Sequence, residues 1–427
     1  MNEQLQSTLF VGIDVSSKSN YVYAMDFFAK KLLSFSCSNN LPGASVLTSK
    51  LCSCLEKEKL KYVVIAMEST SYYSFHICNY LSSSPELACF KPKIYCLNPK
   101  IIKAYRESFI SLDKTDPLDS MVISDFARTG KITSLPFQGS CFVALQRLTR
   151  QRLHIVESLN REKSFALSNI FLKFSELAVL DKDEQPFSDK FGATASAIIT
   201  EFLTPDEIAS MPLEDLINFI CEKGKKRFSN PESNAKLLQK ACRDSYRLDK
   251  ALYDPLNTTI AASFNCISSL ERQIKELDKA ILKAVKGLSS NEYQCLLSIK
   301  GIGPVFAAGI IAEIGFISRF PKEEKLAKFA GLCWRKRQSG KFTANNTFIT
   351  KAGNKYLRYY LLEATGSVVR SNEEYRLFYQ KKYNEVSRFQ HKRALALTAR
   401  KFVRLIFSML QKNQLYIDTQ REMVKLT

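Results

Sequence analysis

Short apolar runs alternate with polar turns over the first hundred residues of the chain. Two β-rich runs, Thr8–Val15 and Tyr21–Asp26, lie close together along the chain and predict a β-hairpin. A helical pattern from about 43 to 58 leads to a third strand at 62–67, and a further helix–strand alternation ends at Ile94–Leu97. Hairpin strands followed by alternating helices and strands predict a mixed α/β sheet.

Beyond residue 141 the apolar period becomes that of helices. A long amphipathic helix is predicted over 142–171, and the polar stretches 181–186 and 223–234 are predicted loops. A later stripe has the alternating three- and four-residue spacing of a coiled coil: Ile267, Leu270, Ile274, Leu277 and Ile281. Two heptads leave open whether this stripe pairs with another subunit or packs within its own domain.

These patterns predict an α/β plus α chain with three domains. The mixed sheet occupies 1–141, and a helical and coiled-coil region that links and dimerises the protein occupies 142–290. A mostly helical domain occupies 291–427. With 427 residues, of which 45% are hydrophobic, the chain can fill the cores of several globular domains, which excludes a disordered protein.

The charge of the chain favours a polyanionic partner. Lys and Arg number 62 against 42 Asp and Glu, which gives a net charge of +20 and an isoelectric point near 9.3. Nucleic acid is the first hypothesis, although a basic total is shared with other classes, so the location of the charge must decide.

Cysteines and apolar runs indicate the compartment. The 12 cysteines are scattered and only 3 histidines are present, so neither a paired zinc pattern nor a compact disulfide framework is visible. No secretion signal is apparent at the start, and no apolar run approaches the roughly 20 residues of a membrane span. We therefore expect a cytoplasmic protein without a membrane partner.

Two carboxylates follow predicted strands directly. Asp14 ends the first strand and Glu68 ends the third, and each is followed by small polar residues that begin a loop. Neighbouring strand ends can bring the two side chains together. Hard anionic oxygens are the ligands that a pair of Mg²⁺ ions requires to act on a phosphodiester.

A third acidic element is the segment Lys114-Thr-Asp-Pro-Leu-Asp-Ser120. Asp116 and Asp119 are three residues apart and would share one face of a helix that starts there. The same segment also reads as a plain helix start, with Asp116 as N-cap and Pro117 at the first position. An Asp on strand one, a Glu on a later strand and this Asp pair, on a basic chain, form the layout of RNase H-like nucleases.

The C-terminal region concentrates positive charge. Between Arg319 and Tyr360 there are eleven Lys and Arg and only two acidic residues. The cations predicted to contact nucleic acid are Arg335, Lys336, Arg337, Lys341, Lys351, Lys355 and Arg358. Upstream, Gly301-Ile-Gly-Pro304 joins two apolar segments, either as a phosphate-binding helical hairpin or as a plain turn.

Ser339 lies in Gln338-Ser-Gly340, between Arg337 and Lys341. Neighbouring cations would stabilise the transition state of an attack on phosphorus by this hydroxyl. Ser-Gly is also an ordinary turn, and no histidine lies within forty residues to act as a base.

The order of these motifs resembles that of the DEDD transposases of the insertion-sequence-110 type, which include Piv-like DNA invertases. Four motifs resemble the RuvC-like domain of that family: Val11-Gly-Ile-Asp14, Met67-Glu68-Ser-Thr70, Leu97-Asn-Pro99 and Lys114–Asp119. Four further motifs of this chain resemble the C-terminal transposase domain of that family: Gly301–Pro304, Phe329-Ala-Gly-Leu332, Gln338-Ser-Gly340 and Lys351–Arg358. In this chain Cys333-Trp334 stands where the family more usually has a Pro-containing segment.

The resemblance implies a composite active site across subunits. Asp14, Glu68, Asp116 and Asp119 would hold Mg²⁺, with Mn²⁺ as a substitute, and Ser339 would form a covalent phosphoserine with DNA. It also implies donor and target DNA as substrates, an element-encoded guide RNA, and a homodimer or homotetramer.

Two other functions remain open at this stage. One is a two-metal nuclease of the Holliday-junction or structure-specific type, in which water attacks and Ser339 is only a turn residue. The other is a non-catalytic nucleic-acid-binding protein in which Asp116 and Asp119 merely begin a helix.

Overall fold

In the computed structural model the chain forms two compact units, residues 1–141 and 142–427. The structure describes residues 3–69, 72–109, 115–132, 136–137, 142–181, 183–225, 227–288, 291–334, 338–339, 342–343 and 349–417. For 338–339 and 342–343 it describes the backbone alone. The division into three domains stays a prediction.

The first unit is built on a mixed sheet. Its strands are β1 (Thr8–Val15), β2 (Ser19–Met25), β3 (Lys31–Ser38), β4 (Tyr62–Glu68) and β5 (Lys93–Leu97). The strand order is β3-β2-β1-β4-β5, in which β1, β2 and β3 pair antiparallel and β4 and β5 run parallel to β1. The predicted hairpin and mixed sheet are confirmed, and the order is that of an RNase H-like domain.

Helices cover both faces of this sheet. They are α1 (Glu3–Gln6), α2 (Leu41–Lys57), α3 (Tyr73–Ser83), α4 (Pro85–Ala88), α5 (Pro99–Arg106) and α6 (Asp116–Arg128). Apolar residues of α2, α3 and α4 pack on one face, and those of α5 and α6 pack on the other. Because β1 is buried on both sides, it is a nearly continuous apolar run.

The first half of the second unit is helical. Its helices are α7 (Val143–Lys173), α8 (Ser175–Val179), α9 (Ala193–Glu201), α10 (Pro205–Ser210), α11 (Leu213–Lys223), α12 (Pro231–Asp244) and α13 (Lys250–Leu288). The predicted long helix at 142–171 is confirmed as α7. The predicted loop at 223–234 is too long, because Asn230 caps α12 by accepting from the Ser233 backbone N–H at 3.1 Å.

The two longest helices of this unit pair antiparallel. Arg152 of α7 contacts Asp278 of α13, and Lys163, further along α7, contacts Glu271, which is earlier in α13. Ile281 packs with residues of α7 in a shared apolar cluster. The coiled-coil stripe therefore contacts a helix of its own chain, which is one of the two arrangements that the sequence left open.

The second half adds helices and a short β-pair. The elements are α14 (Asn291–Leu297), α15 (Pro304–Ile314), a 3-10 turn (Ile317–Arg319), α16 (Glu323–Ala330), β6 (Gln338–Ser339), β7 (Phe342–Thr343), α17 (Lys355–Ser371), α18 (Glu373–Asn384) and α19 (Gln390–Lys412). None of the helices in the described ranges is long and apolar enough to cross a membrane.

The glycine turn between α14 and α15 has a packing role. Gly301 has a φ of +100°, and a Cβ atom there would lie 2.1 Å from the Ser371 hydroxyl of α17. Only glycine fits both the backbone angle and the space. Phosphate binding at this turn stays a prediction.

Candidate active site

Parallel pairing of β1 and β4 places Asp14 and Glu68 side by side. Ile13 is in register with Met67, so the next residue of each strand is the carboxylate. Both side chains are half-buried, whereas most of the strand residues before them are fully buried. The sequence pattern thus ends two buried strands with acids at the same edge of the sheet, where ligands of open α/β sheets commonly bind.

Helix α6 is fixed on β1 at Gly12. A Cβ atom on Gly12 would lie 2.0 Å from the Ser120 carbonyl oxygen and 2.4 Å from the Ser124 backbone nitrogen. The Ser124 hydroxyl donates to the Phe10 carbonyl at 2.9 Å. The start of α6 is therefore held against the strand that carries Asp14.

Asp116 and Asp119 both lie in the first turn of α6, but they differ in surroundings. Asp116 is exposed and Asp119 is half-buried. The N-cap residue is Thr115 rather than Asp116, so the helix begins one residue earlier in the motif than the capping interpretation placed it. Among the residues that the structure describes, no side chain makes a capping hydrogen bond to this helix.

Three of the four predicted carboxylates line one cavity of about 720 Å³, namely Asp14, Glu68 and Asp119. Asp116 is not among its lining residues, although it lies one helical turn before Asp119. The structure therefore places three of the four predicted carboxylates around one cavity.

The same cavity has a cationic wall. Lys100, Lys103 and Arg106 of α5 line it at three-residue intervals, and the Asn98 side chain caps this helix by accepting from the Lys100 backbone N–H at 3.0 Å. The sequence analysis did not predict that these cations belong to the site. The signal for them is the helix start at Asn98-Pro99, which is followed by basic residues at three-residue spacing. Their positive charges beside carboxylates suit a site that binds a phosphate and a cation together.

Arg106 and Asp119 form an ion pair across this cavity, with Nη1 and Oδ1 2.6 Å apart. Within the described residues no three acidic, histidine or cysteine side chains converge closely enough to hold an ion. The donor set itself fits Mg²⁺, because its members are hard carboxylate oxygens around one cavity. Because Arg106 occupies Oδ1 of Asp119, an ion held by Asp119 would either use its other carboxylate oxygen or compete with Arg106.

In the second unit, Ser339 lies in β6, where its backbone pairs with Phe342 of β7. An isolated antiparallel bridge between Trp334 and Ile349 closes the base of this segment. The side chain of Ser339 and the predicted cations Arg335, Lys336, Arg337 and Lys341 lie outside the described residues. Their predicted roles stay predictions.

The other predicted DNA-contacting cations are described. Lys351 and Lys355 are exposed, the first in the loop before α17 and the second in its first turn. Arg358 instead donates to the carbonyls of Ala330 at 3.1 Å and Lys351 at 2.9 Å. Arg358 therefore holds the loop that carries Lys351.

Comparison with known proteins identifies the family. A model of DEDD transposases of the IS110 type matches residues 11–169, and a model described as Transposase IS116/IS110/IS902 family matches residues 293–380. Together they match more than half of the chain. The chain belongs to the IS110 family of transposases.

Relatives of this IS110-family protein support the assignment. A Streptomyces coelicolor mini-circle protein, named as a transposase for IS117, is 26% identical over 58% of this chain and 60% of its own length. The 44.8 kDa protein of insertion element IS116 from Streptomyces clavuligerus is 21% identical over 96% of both chains. The 42 kDa protein of IS900 from Mycobacterium paratuberculosis is 23% identical over 71% of this chain and 73% of its own.

A buried polar network in this IS110-family protein was not anticipated from sequence. The fully buried Glu313 carboxylate accepts from Arg150 through Nε at 2.7 Å and through Nη2 at 2.8 Å. The Asn354 side chain donates to the same carboxylate at 2.7 Å and also caps α17 by accepting from the Tyr356 and Leu357 backbone N–H groups. The Gly353-Asn354 motif thus fixes the start of α17.

Proposed function

We propose that this protein is a DNA transposase that cuts and rejoins strands through the carboxylates Asp14, Glu68, Asp116 and Asp119 and the hydroxyl of Ser339. The observation that carries the proposal is the cavity that Asp14, Glu68 and Asp119 line together with the cations of α5. Family membership supports a transposase in general. The residue roles are those that the resemblance to this family implies.

The α5 cations would hold the scissile phosphate beside the carboxylates. Lys100 and Lys103 are placed to contact phosphate oxygens, because they line the cavity from one helix face. When bound there, Mg²⁺ or Mn²⁺ would neutralise the charge that develops on those oxygens. The carboxylates would hold that ion, and the α5 cations would fix the phosphate.

Ser339 would supply the nucleophile. Its Oγ forms a bond to phosphorus, the bond from phosphorus to one DNA oxygen breaks, and that oxygen ends with the proton that the serine loses. In the second step a hydroxyl of the exchanged strand attacks the phosphoserine and frees Ser339. Each step keeps one phosphodiester bond, so rejoining needs no external energy source.

A guide RNA and a homodimer or homotetramer complete the proposal. The net charge of +20 supports a large polyanionic partner, and RNA and DNA satisfy that charge equally. Sequencing the RNA that copurifies with the protein tests this part. RNA from the flanks of its own gene supports guidance, whereas recombination that survives ribonuclease treatment contradicts it. Sedimentation tests the oligomer, and a monomer on DNA contradicts it.

The serine is tested by Ser339→Ala, with the exposed Ser318→Ala as matched control. We expect Ser339→Ala to abolish both strand exchange and the protein–DNA adduct that survives denaturation, whereas Ser318→Ala retains both. Full strand exchange by Ser339→Ala would contradict the covalent step. Cleavage without any adduct would favour the nuclease with a water nucleophile.

The carboxylates are tested by Asp14→Asn, Glu68→Gln and Asp119→Asn. Glu107→Gln is the control, because Glu107 lines the same cavity without belonging to the proposed metal set. We expect the first three to lose cleavage by at least a hundredfold and the control to retain most of it. Cleavage that survives all three changes contradicts an enzyme at this site.

A further inference from the structure

A second cavity of the first unit opens near the candidate active site. It has a volume of about 660 Å³ and lies among the turn after β1, the end of β3, the start of α2 and the length of α3. Its lining residues are polar, aromatic or aliphatic and include Ser17, Tyr72, Tyr73, His76, Asn79 and Tyr80. Since none of these is acidic, lysine or arginine, the cavity suits an uncharged ligand.

The cavity presents aromatic rings in positions suited to stacking. Tyr72 and Tyr73 are 49% and 48% exposed, which is high for aromatic side chains. Tyr73, His76 and Tyr80 recur at three- and four-residue spacing on α3 and so share one face of the helix. In proteins that bind single-stranded nucleic acid, exposed aromatic rings are typical surfaces on which unpaired bases stack.

Polar groups for recognising the edge of a base are present as well. Within the part of the chain that the structure describes, neither the Asn79 side-chain amide nor the His76 ring makes a hydrogen bond. An asparagine amide offers one donor and one acceptor side by side, which matches the edge of a nucleobase. Both residues are exposed, and both line the cavity from α3.

The walls of the cavity are tied together by Asn39. Its Nδ2 donates to the Ser16 carbonyl at 2.8 Å and to the Tyr73 carbonyl at 3.3 Å, and its Oδ1 accepts from Asn20 at 3.3 Å. Its backbone N–H donates to the Lys18 carbonyl at 2.8 Å. A preformed cavity lowers the entropy cost of binding.

The position of the cavity relates it to the carboxylates. Ser17 follows Asp14 by three residues and Tyr72 follows Glu68 by four, so the chain limits these separations to about 10–14 Å. One strand of a duplex rises ~3.4 Å per nucleotide, so this span corresponds to at most about three or four stacked nucleotides. A strand whose phosphate lies at the carboxylates can therefore reach this cavity.

We propose that this cavity binds one unpaired nucleobase, stacked on Tyr73 and recognised by Asn79, from a strand that passes the candidate active site. The inference rests on the proposed function in that it takes the ligand to be nucleic acid. RNA and DNA both supply such a base. The bound base sets the register of the strand relative to Asp14 and Glu68.

The experiment measures the affinity of single-stranded 12-nucleotide RNA and DNA probes by fluorescence anisotropy, with an abasic site moved along each probe. It uses full-length Asp14→Asn protein, so that cleavage does not interfere. We expect one abasic position to weaken binding by about 5- to 100-fold, the size of one lost base–aromatic stack. The probe that shows this effect identifies RNA or DNA as the source.

Variants then locate the effect. In a Tyr73→Ala background the abasic position should cause no further loss, whereas Tyr73→Phe should behave as the parent because it keeps the ring. Phe28→Ala is the matched control, since Phe28 is an aromatic residue of the same unit that is 71% exposed elsewhere. Thermal unfolding checks that each variant is folded.

The outcomes separate this inference from the proposed function. An abasic effect that persists in Tyr73→Ala, or that is absent from both probes, overturns the base site and leaves the catalytic proposal intact. Cleavage that survives Asp14→Asn, Glu68→Gln and Asp119→Asn overturns the catalytic proposal. It does not alter a measured dependence of the abasic effect on Tyr73. Asn79→Ala should weaken base preference at that position without abolishing stacking.

Discussion

Arg106 and Asp119 are paired at 2.6 Å inside the carboxylate cavity, with their side chains 21% and 22% exposed. The guanidinium thus occupies one of the two carboxylate oxygens of Asp119 and is placed to compete with a divalent cation for this side chain. Arg106 closes α5 and Asp119 lies in the first turn of α6, so the pair also joins the two helices. The contact offsets part of the negative charge of the carboxylates around this cavity.

The first prediction concerns this pair. Arg106→Gln removes a cation that competes for Asp119, and partly exposed ion pairs contribute about 0.2–1 kcal/mol. We expect Mg²⁺ binding, measured by calorimetry, to tighten by about two- to fivefold. Lys103→Gln removes a cation from the same cavity and serves as control. Equal affinities in both variants would show that Arg106 does not compete for the ion.

The second prediction concerns the contact of α6 with β1. Gly12→Ala places a methyl group on the backbone of Ser120 and Ser124, and overpacking of this kind costs about 1–3 kcal/mol or more. Urea unfolding should show this loss, and Mg²⁺ binding should weaken because Asp119 moves from Asp14. Ser49→Ala, at an exposed position of α2, should change stability by only a few tenths of a kcal/mol. An unchanged midpoint for Gly12→Ala would refute the close contact.

The sequence predicted the parts of the sheet that are apolar and locally specified. β1, β4 and β5 are short apolar runs, and β1 and β4 end in acids, so both the strands and the positions of Asp14 and Glu68 could be inferred. Strand β3 was not predicted. It is an edge strand of mostly half-buried and exposed residues, so it lacks the apolar run that marks the others.

Contacts between distant segments could not be inferred. The Arg106–Asp119 pair depends on how α5 and α6 lie on the sheet, and Asn39 meets Tyr73 only after β3 and α3 are in place. The N-cap of α6 was misplaced by one residue because Thr115 and Asp116 are both good caps. The N-cap preferences of Thr and Asp are too similar to decide between two adjacent residues.

The third prediction concerns the buried network at the start of α17. Glu313→Gln keeps the shape of the side chain but leaves Arg150 without its anion, which for a buried pair costs about 3–5 kcal/mol. Since Arg150 is 26% exposed, we expect a loss of about 2–4 kcal/mol in urea unfolding. Glu324→Gln, an exposed acid of the same unit, should be nearly neutral. Equal effects of the two changes would refute the network.

The last prediction concerns the pH dependence of stability. Lys173 is fully buried, and its Nζ donates to the carbonyls of Ile199, at 2.7 Å, and Phe202, and to Asn257 Oδ1. Burial lowers the pKa of Lys173 from 10.5 to about 8, against the opposing effects of Glu207 and Cys242. Between pH 8 and 10.5 the unfolded chain therefore holds a proton at this residue that the folded chain has lost. The free energy of unfolding should rise with pH across that window and stay level below it.

The contribution of Lys173 is isolated by comparison with Lys173→Met. The stability of the parent relative to this variant should grow by at most about 3 kcal/mol from pH 8 to 10.5, since one pKa unit corresponds to about 1.4 kcal/mol. Urea unfolding at several pH values measures this difference. Lys283→Met, at an exposed position of α13, should show no such trend. A constant difference between the parent and Lys173→Met would mean that the buried amine keeps its proton throughout, held by its three acceptors.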